Sequence, residues 1–152
     1  MLEVLVTAII AVGSLAPFAA SSLELAKNLP PVPDPATITC HDKAWEDTNL
    51  IPVNSTRLQT RFAPFVDLAI SGAQKDGIYL LVNSGYRTCP EQQKLRISAC
   101  GVGNYNLYQK PIDLCFPPTE PAGHSMHNEG LAVDFACSGY GLFESSPCYD
   151  WM

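Results

Sequence analysis

Apolar residues recur at helical spacing through residues 55–77. Successive members of this set are three or four positions apart, and they are Leu58, Phe62, Val66, Ala69 and Ala73. This is the spacing of one face of an α-helix. Pro64 predicts the beginning of a helix or a kink, because proline is tolerated in a first turn but not in a helix interior. Gly77 suits the helix end. The pattern predicts an amphipathic helix.

Two further apolar segments predict β-strands. Residues 78–87 open with a short apolar run and predict a buried strand that ends in a turn at Ser84 and Gly85. Residues 130–136 form the second apolar run. Both runs have the length and the aliphatic composition of strands.

A second helix and a long loop are predicted between these strands. Thr88 and Glu91 form a T-x-x-E capping box, and this predicts a helix over 88–100. Residues 101–123 carry glycine, asparagine and proline throughout and predict a long loop. The order helix, strand, helix, loop, strand predicts an α+β domain.

The N-terminal residues predict an organisation of three parts. Residues 4–20 carry no charge and end in small residues, as an export signal does, although Glu3 stands where a basic residue is usual. An uncleaved membrane anchor and a buried core helix are the alternatives. Prolines make up four of the first eight residues of the next segment. We expect a signal or anchor over 1–27, a semi-rigid linker over 28–39 and a folded domain over 40–152.

Composition narrows the classes of function. The chain has 152 residues, 16% of them charged, and a net charge of −6. Nothing basic clusters to neutralise phosphates, so we expect no nucleic-acid partner. Six cysteines without a CxxC pair predict a framework of up to three disulfides and an oxidising, extracytoplasmic compartment.

Helix geometry limits how the cysteines pair. Cys89 and Cys100 stand at the two ends of the second predicted helix, roughly 16 Å apart at about 1.5 Å rise per residue. Bridged cysteines need Cα atoms within about 7 Å, so this pair is excluded if the helix forms. Cys115 then lies across the loop from Cys100. Turn-rich sequence separates Cys137 from Cys148, so these two can also pair. Cys40 and Cys89 are left as the third pair. The predicted pairs are Cys100–Cys115, Cys137–Cys148 and Cys40–Cys89.

The segment "HSMHNEGLAVDF" contains the candidate chemistry. Side chains alternate across a strand, so if Leu131, Val133 and Phe135 face the core, Asp134 faces the other way. Gly130 allows the backbone to bend before the strand. The preceding histidine, His127, can then converge with the aspartate as two Zn²⁺ ligands do. A loop histidine and a surface aspartate that are merely neighbours remain the alternative.

Two ordered motifs resemble a known family. "SMHNEGLAVD" matches the S-x-H-x-x-G-x-A-x-D pattern of the VanY-type zinc D-alanyl-D-alanine carboxypeptidases, and "SGYRTCPEQQKL" resembles their S-G-Y-R-S-x-x-x-Q-x-x-L segment. The family is related to the VanX dipeptidases and to the Hedgehog-like fold. The resemblance runs from about residue 50 to 135. It implies a small antiparallel sheet flanked by helices.

The resemblance also implies roles for individual residues. His127 and Asp134 are similar to two zinc ligands of the family, and Arg87 to the arginine that stabilises the oxyanion. The positions that resemble substrate-binding residues are Ser84, Tyr86, Gln92 and Ser125.

Each role has a structural alternative. Arg87 can form an ion pair, Gln92 can lie on a solvated helix face, and the Ser125 hydroxyl can stabilise a local turn. We interpret His124 as a rim residue, Glu129 as pointing to solvent and His41 as incidental.

The resemblance implies zinc-dependent hydrolysis of the D-Ala-D-Ala end of peptidoglycan stem peptides. We expect an exported monomer, and any membrane attachment would be through the N-terminal segment. Carboxypeptidase, dipeptidase and endopeptidase specificity stay open. The family's third ligand and general base arrive later, in a segment like E-P-W-H, but no histidine follows His127. We therefore expect a C-terminally truncated, inactive chain. A noncatalytic cell-wall peptide-binding module and a Hedgehog-like zinc adaptor are the alternatives.

Overall fold

The structure is a computed structural model that describes residues 39–140 and 143–152. The predicted signal or anchor over 1–27, and all of the linker except residue 39, lie outside the described residues. Within those two ranges, none of the helices combines the length and apolar character that a membrane span needs.

Five α-helices and four strands form the described part of the domain. The helices are α1 Lys43–Asn49, α2 Ala63–Lys75, α3 Cys89–Cys100, α4 Asn104–Tyr108 and α5 Pro147–Trp151. The strands are β1 Leu50–Val53, β2 Thr56–Gln59, β3 Leu80–Ser84 and β4 Asp134–Cys137. Short 3-10 turns occupy Ile112–Leu114, Met126–Glu129 and Phe143–Ser145.

The strands pair into two antiparallel sheets. In one, β1 and β2 form a hairpin with Leu50 opposite Gln59. In the other, β3 pairs with β4, and an irregularity after Val82 sets Ser84 opposite Asp134. The predicted α+β class with antiparallel pairing is confirmed. The described strands make two small sheets rather than the single one expected.

The first predicted helix begins later than its apolar pattern indicated. Leu58 lies in β2, and α2 begins at Ala63, with Pro64 in its first turn. Leu58, Phe62 and Val66 nevertheless share one hydrophobic core. The apolar spacing reflects burial against the same core in both the strand and the helix. The inclusion of Leu58 in the helix was wrong, whereas the prediction that Pro64 marks the beginning of a helix is confirmed.

The predicted strands and loop also need correction. β3 is buried on one face only, since Leu81 is 49% exposed. β4 begins at Asp134, four residues after the predicted start, although Val133 is buried and Leu131 and Phe135 pack on the core as expected. The 101–123 loop contains α4 and a 3-10 turn.

Three disulfides hold the domain together, and all three predicted pairs are confirmed. Their Cα–Cα distances are 5.6 Å for Cys40–Cys89, 4.5 Å for Cys100–Cys115 and 5.7 Å for Cys137–Cys148. The predicted capping box at Thr88 and Glu91 is present as well. Because α3 is a continuous helix, its two terminal cysteines bind partners in different segments.

Arg96 organises the long segment after α3. Its side chain is fully buried, and its guanidinium donates to three backbone carbonyls, those of Asn106, Lys110 and Thr119. Arginine suits this position because its planar group offers several donors in fixed directions. Arg96 therefore holds in place the segment that leads to residues 124–130.

Candidate functional site

Two turns lie side by side to form the site. The first, residues 84–88, follows β3, and the second, residues 124–130, precedes β4. The Arg87 amide donates to the His127 carbonyl at 2.9 Å, and the Asn128 side chain donates to the Arg87 carbonyl at 2.8 Å. Gly85 is required here, since a Cβ would lie 2.7 Å from the Thr56 side chain.

His127 is buried on the second turn, with 1% of its surface exposed. Its Nδ1 lies 2.7 Å from the Gly85 carbonyl oxygen. A carbonyl oxygen can only accept, so Nδ1 is the nitrogen that donates here, and in a neutral ring Nε2 is the nitrogen with the lone pair. Gly130 ends this turn in the left-handed region, with φ of 67°, and packs against β1 and β2. The fold thus selects the tautomer that offers Nε2 as a ligand.

Asp134 faces this nitrogen from the beginning of β4. Its Oδ1 lies 3.5 Å from His127 Nε2, while its Oδ2 accepts from the Ser84 hydroxyl at 2.6 Å and from the Arg87 guanidinium. Burial raises the pKa of the Asp134 carboxyl more than any other single influence. The contacts with His127, Ser84 and Arg87 together outweigh burial and lower this pKa to about 2. The carboxylate is therefore charged at neutral pH.

The donor set fits part of a zinc site. An imidazole and a carboxylate are ordinary Zn²⁺ ligands, and a histidine ligand usually donates its other N–H to a carbonyl or carboxylate, as His127 does to Gly85. No group of three or more His, Cys, Asp or Glu side chains converges within 39–140 and 143–152. The described residues offer two of the four positions of a tetrahedral site.

Two of the predicted substrate residues, Ser84 and Gln92, contact Asp134 or its ion-pair partner Arg87. The Ser84 hydroxyl bridges Asp134 and Arg87. Gln92 is fully buried, so the alternative of a solvated helix face was wrong. Its side chain accepts from Arg87 at 3.3 Å and donates to the Glu120 carbonyl at 2.9 Å.

Two of the structural alternatives correspond to contacts that are present. The Arg87 guanidinium forms an ion pair with Asp134. Ser125 is fully buried, and its hydroxyl accepts from the His127 amide at 3.3 Å. Both residues therefore hold the site together, and a role toward substrate stays a prediction for each.

Tyr86 points to the far side of the first turn. Its hydroxyl donates to Glu46 at 2.9 Å, and the Arg57 guanidinium lies 5.1 Å from the ring centre. Burial, the hydrogen bond to Glu46 and the charge of that carboxylate raise the pKa of Tyr86 well above its usual value. Tyr86 is thus a neutral donor at neutral pH.

Sequence reasoning missed a second polar cluster beside the site. Glu129 is 8% exposed and accepts from the His41 ring at 2.9 Å and from the Thr39 amide at 3.3 Å. The interpretation that it points to solvent was therefore wrong, and His41 is not incidental. Since 88 residues separate the two side chains, no local pattern could have joined them. His124, expected at the rim, is exposed.

Comparison with known proteins identifies the family of the chain. The family model described as D-alanyl-D-alanine carboxypeptidase, VanY, matches residues 55–151. The chain belongs to this family. A D-alanyl-D-alanine carboxypeptidase from Enterococcus faecalis is 32% identical over 102 residues, which are 65% of this chain and 37% of that protein. The chain thus spans little more than a third of this relative's length.

Two solved structures are also similar. VanYB in complex with D-alanine-D-alanine matches with a TM-score of 0.51 and 25% identity, over 67% of this chain and 57% of that chain. A mutant of the vancomycin resistance D,D-pentapeptidase VanY from a VanB-type resistance cassette, in complex with Zn(II), matches with a TM-score of 0.47 and 24% identity, over 70% and 64% of the two chains. The resemblance to the VanY family and the α+β fold are confirmed.

Proposed function

We propose that this domain serves a zinc-dependent D,D-carboxypeptidase that hydrolyses the D-Ala-D-Ala end of peptidoglycan stem peptides. The observation that carries the proposal is the convergence of His127 Nε2 and Asp134 Oδ1, 3.5 Å apart, in a chain of the VanY family. The D-alanine-D-alanine bound to the similar VanYB supports the choice of substrate.

His127 and Asp134 would hold the metal. When bound, Zn²⁺ acidifies a water molecule and polarises a carbonyl oxygen. The Gly85 carbonyl keeps the proton on His127 Nδ1, and the Ser84 hydroxyl orients Asp134. These contacts hold both donors in place before a ligand arrives, which lowers the cost of ordering them.

The Arg87 guanidinium, a planar cation, stands beside the two donors. In this position it stabilises negative charge that develops on the scissile carbonyl oxygen. Gln92 fixes its orientation from α3. We assign Ser84, Gln92 and Ser125 to the substrate side, whereas Tyr86, predicted to bind substrate, is held by Glu46 instead. Among the described residues we assign no general base and no third ligand.

The cellular setting follows from the disulfides and the substrate. Three disulfides among the described residues suit an exported protein at the cell envelope. We propose a monomer whose partner is the stem peptide, with no nucleic acid and with membrane attachment, if any, through residues 1–27.

Metal and peptide binding by the 152-residue chain test the proposal. Titration calorimetry should show weak 1:1 Zn²⁺ binding that is lost in His127→Ala. A fluorescent pentapeptide that ends in D-Ala-D-Ala should then bind more tightly in the presence of Zn²⁺ than its L-Ala-L-Ala counterpart. Equal binding of the two peptides would overturn the substrate assignment. Preference for the D,D peptide that is independent of zinc would instead favour a noncatalytic binding module.

We expect hydrolysis of this peptide by the 152-residue chain to be negligible. Glu129 lies two residues after the proposed ligand His127. Its carboxylate already accepts hydrogen bonds from His41 and Thr39. Efficient release of D-alanine would show that one of the described acids or His124 acts as the base.

A further inference from the structure

A segment outside the family match runs along both site turns. We call residues 39–49 the strap, and the family match begins only at residue 55. The strap contains α1 and is covalently fixed by the Cys40–Cys89 disulfide, whose second cysteine is the first residue of α3. The disulfide therefore joins the strap to the end of the turn that contains Arg87.

One half of the strap holds the turn of His127. The His41 ring and the Thr39 amide both bind Oε1 of Glu129, two residues after His127. The His41 ring is stacked on Trp45, with ring centres 3.5 Å apart and planes inclined by 6°. Stacking fixes the orientation of the imidazole, so its contact with Glu129 restrains the turn that contains His127.

The other half holds the turn of Arg87. Glu46 is 7% exposed and uses both carboxylate oxygens, one for the Tyr86 hydroxyl and one for the Arg57 guanidinium, each at 2.9 Å. The Tyr86 amide also donates to the Arg57 carbonyl at 2.8 Å. A buried carboxylate is costly unless it is paired, and here its pairing fixes the residue that precedes Arg87.

We infer that the strap is a positioning element for the metal site, with His41 and the Cys40–Cys89 disulfide as its essential parts. The inference rests on the proposed function. Hydrogen bonds of Gly85 and Arg87 join the two site turns, and the strap binds both of them. Ligands must be held within a fraction of an ångström for full affinity, so a loosened turn weakens metal binding without removing a ligand.

Zinc affinity of the 152-residue chain tests the role of His41. His41→Ala should lower the affinity about tenfold, as loss of a supporting contact around a metal site commonly does. His41→Gln should recover most of it, because the Gln amide can donate to Glu129 where the ring does. In a His127→Ala background, His41→Ala should change residual zinc binding not at all.

The disulfide provides a matched second test. Cys40→Ser/Cys89→Ser should weaken zinc binding, whereas Cys100→Ser/Cys115→Ser removes the bridge at the other end of α3 and should leave the affinity of the folded protein unchanged. Thermal unfolding of each variant checks that the protein is folded under the conditions of the zinc titration.

Each outcome separates the strap from the proposed function. Zinc affinity that stays at the parent value in folded His41→Ala and in folded Cys40→Ser/Cys89→Ser would overturn the inference, with the zinc site intact. So would equal losses in the two cysteine pairs. Parent zinc binding that survives His127→Ala would instead defeat the proposed function.

Discussion

The His127 ring and the Asp134 carboxylate face each other across the junction of two turns, with Nε2 and Oδ1 3.5 Å apart. Each side chain has its remaining polar atoms committed elsewhere. His127 Nδ1 binds the Gly85 carbonyl, and Asp134 Oδ2 binds Ser84 and Arg87. The facing atoms are thus the ones left for a shared ligand.

Asp134→Asn should lower zinc affinity by more than about tenfold, because a neutral amide replaces a charged ligand. The exposed Asp67→Asn on α2 removes the same charge from a remote surface and is the control. Titration calorimetry of both variants decides the matter. Equal affinities for the two would show that Asp134 is not a ligand.

Arg87→Ala should separate catalysis from metal binding. In the catalytically active form of the protein, kcat should fall about a hundredfold or more and KM should change less, since the guanidinium acts on charge that develops in the transition state. Zinc affinity should not fall, because Arg87 pairs with Asp134 and competes with the metal for this carboxylate. A change in KM alone would limit Arg87 to substrate binding.

Gln92→Ala should destabilise the domain by about 1–3 kcal/mol, the usual cost of leaving buried polar groups unpaired. The variant would remove the hydrogen bond from Gln92 to the Glu120 carbonyl and the one from Arg87 to Gln92. Gln93→Ala, at the next and partly exposed position of the same helix, is the matched control. Urea unfolding of both should show a lower midpoint for Gln92→Ala only.

The sequence predicted the site where its pattern was local. His127 and Asp134 are seven positions apart, and strand alternation with a glycine between them suffices to orient both. The disulfides were predictable because a helix forbids the pair Cys89–Cys100, and turn-rich sequence within 101–114 and 138–147 favours two local pairs. The contact between His41 and Glu129 spans 88 positions and depends on how the strap packs, which no periodicity records. The helix boundary was predicted wrongly at Leu58 for a related reason, because a buried leucine fits the apolar pattern equally well in a strand and in a helix.

The capping box of α3 predicts how stability depends on pH. Hydrogen bonds from the Thr88 hydroxyl and amide lower the pKa of Glu91, despite an opposing effect of burial. A carboxyl group with a lowered folded-state pKa binds fewer protons when folded. Its stabilisation is therefore present above the unfolded pKa, about 4.3, and is lost as the pH falls through the lower folded value.

Glu91→Gln keeps the shape of the box without the charge. The free energy of unfolding of the parent should exceed that of the variant at pH 7, and the difference should shrink below about pH 4. Urea unfolding at pH 7 and pH 3 measures it, with exposed Asp67→Asn as the control for general charge effects. A difference between Glu91→Gln and the parent that is the same at both pH values would mean that the charge of Glu91 contributes nothing to the cap.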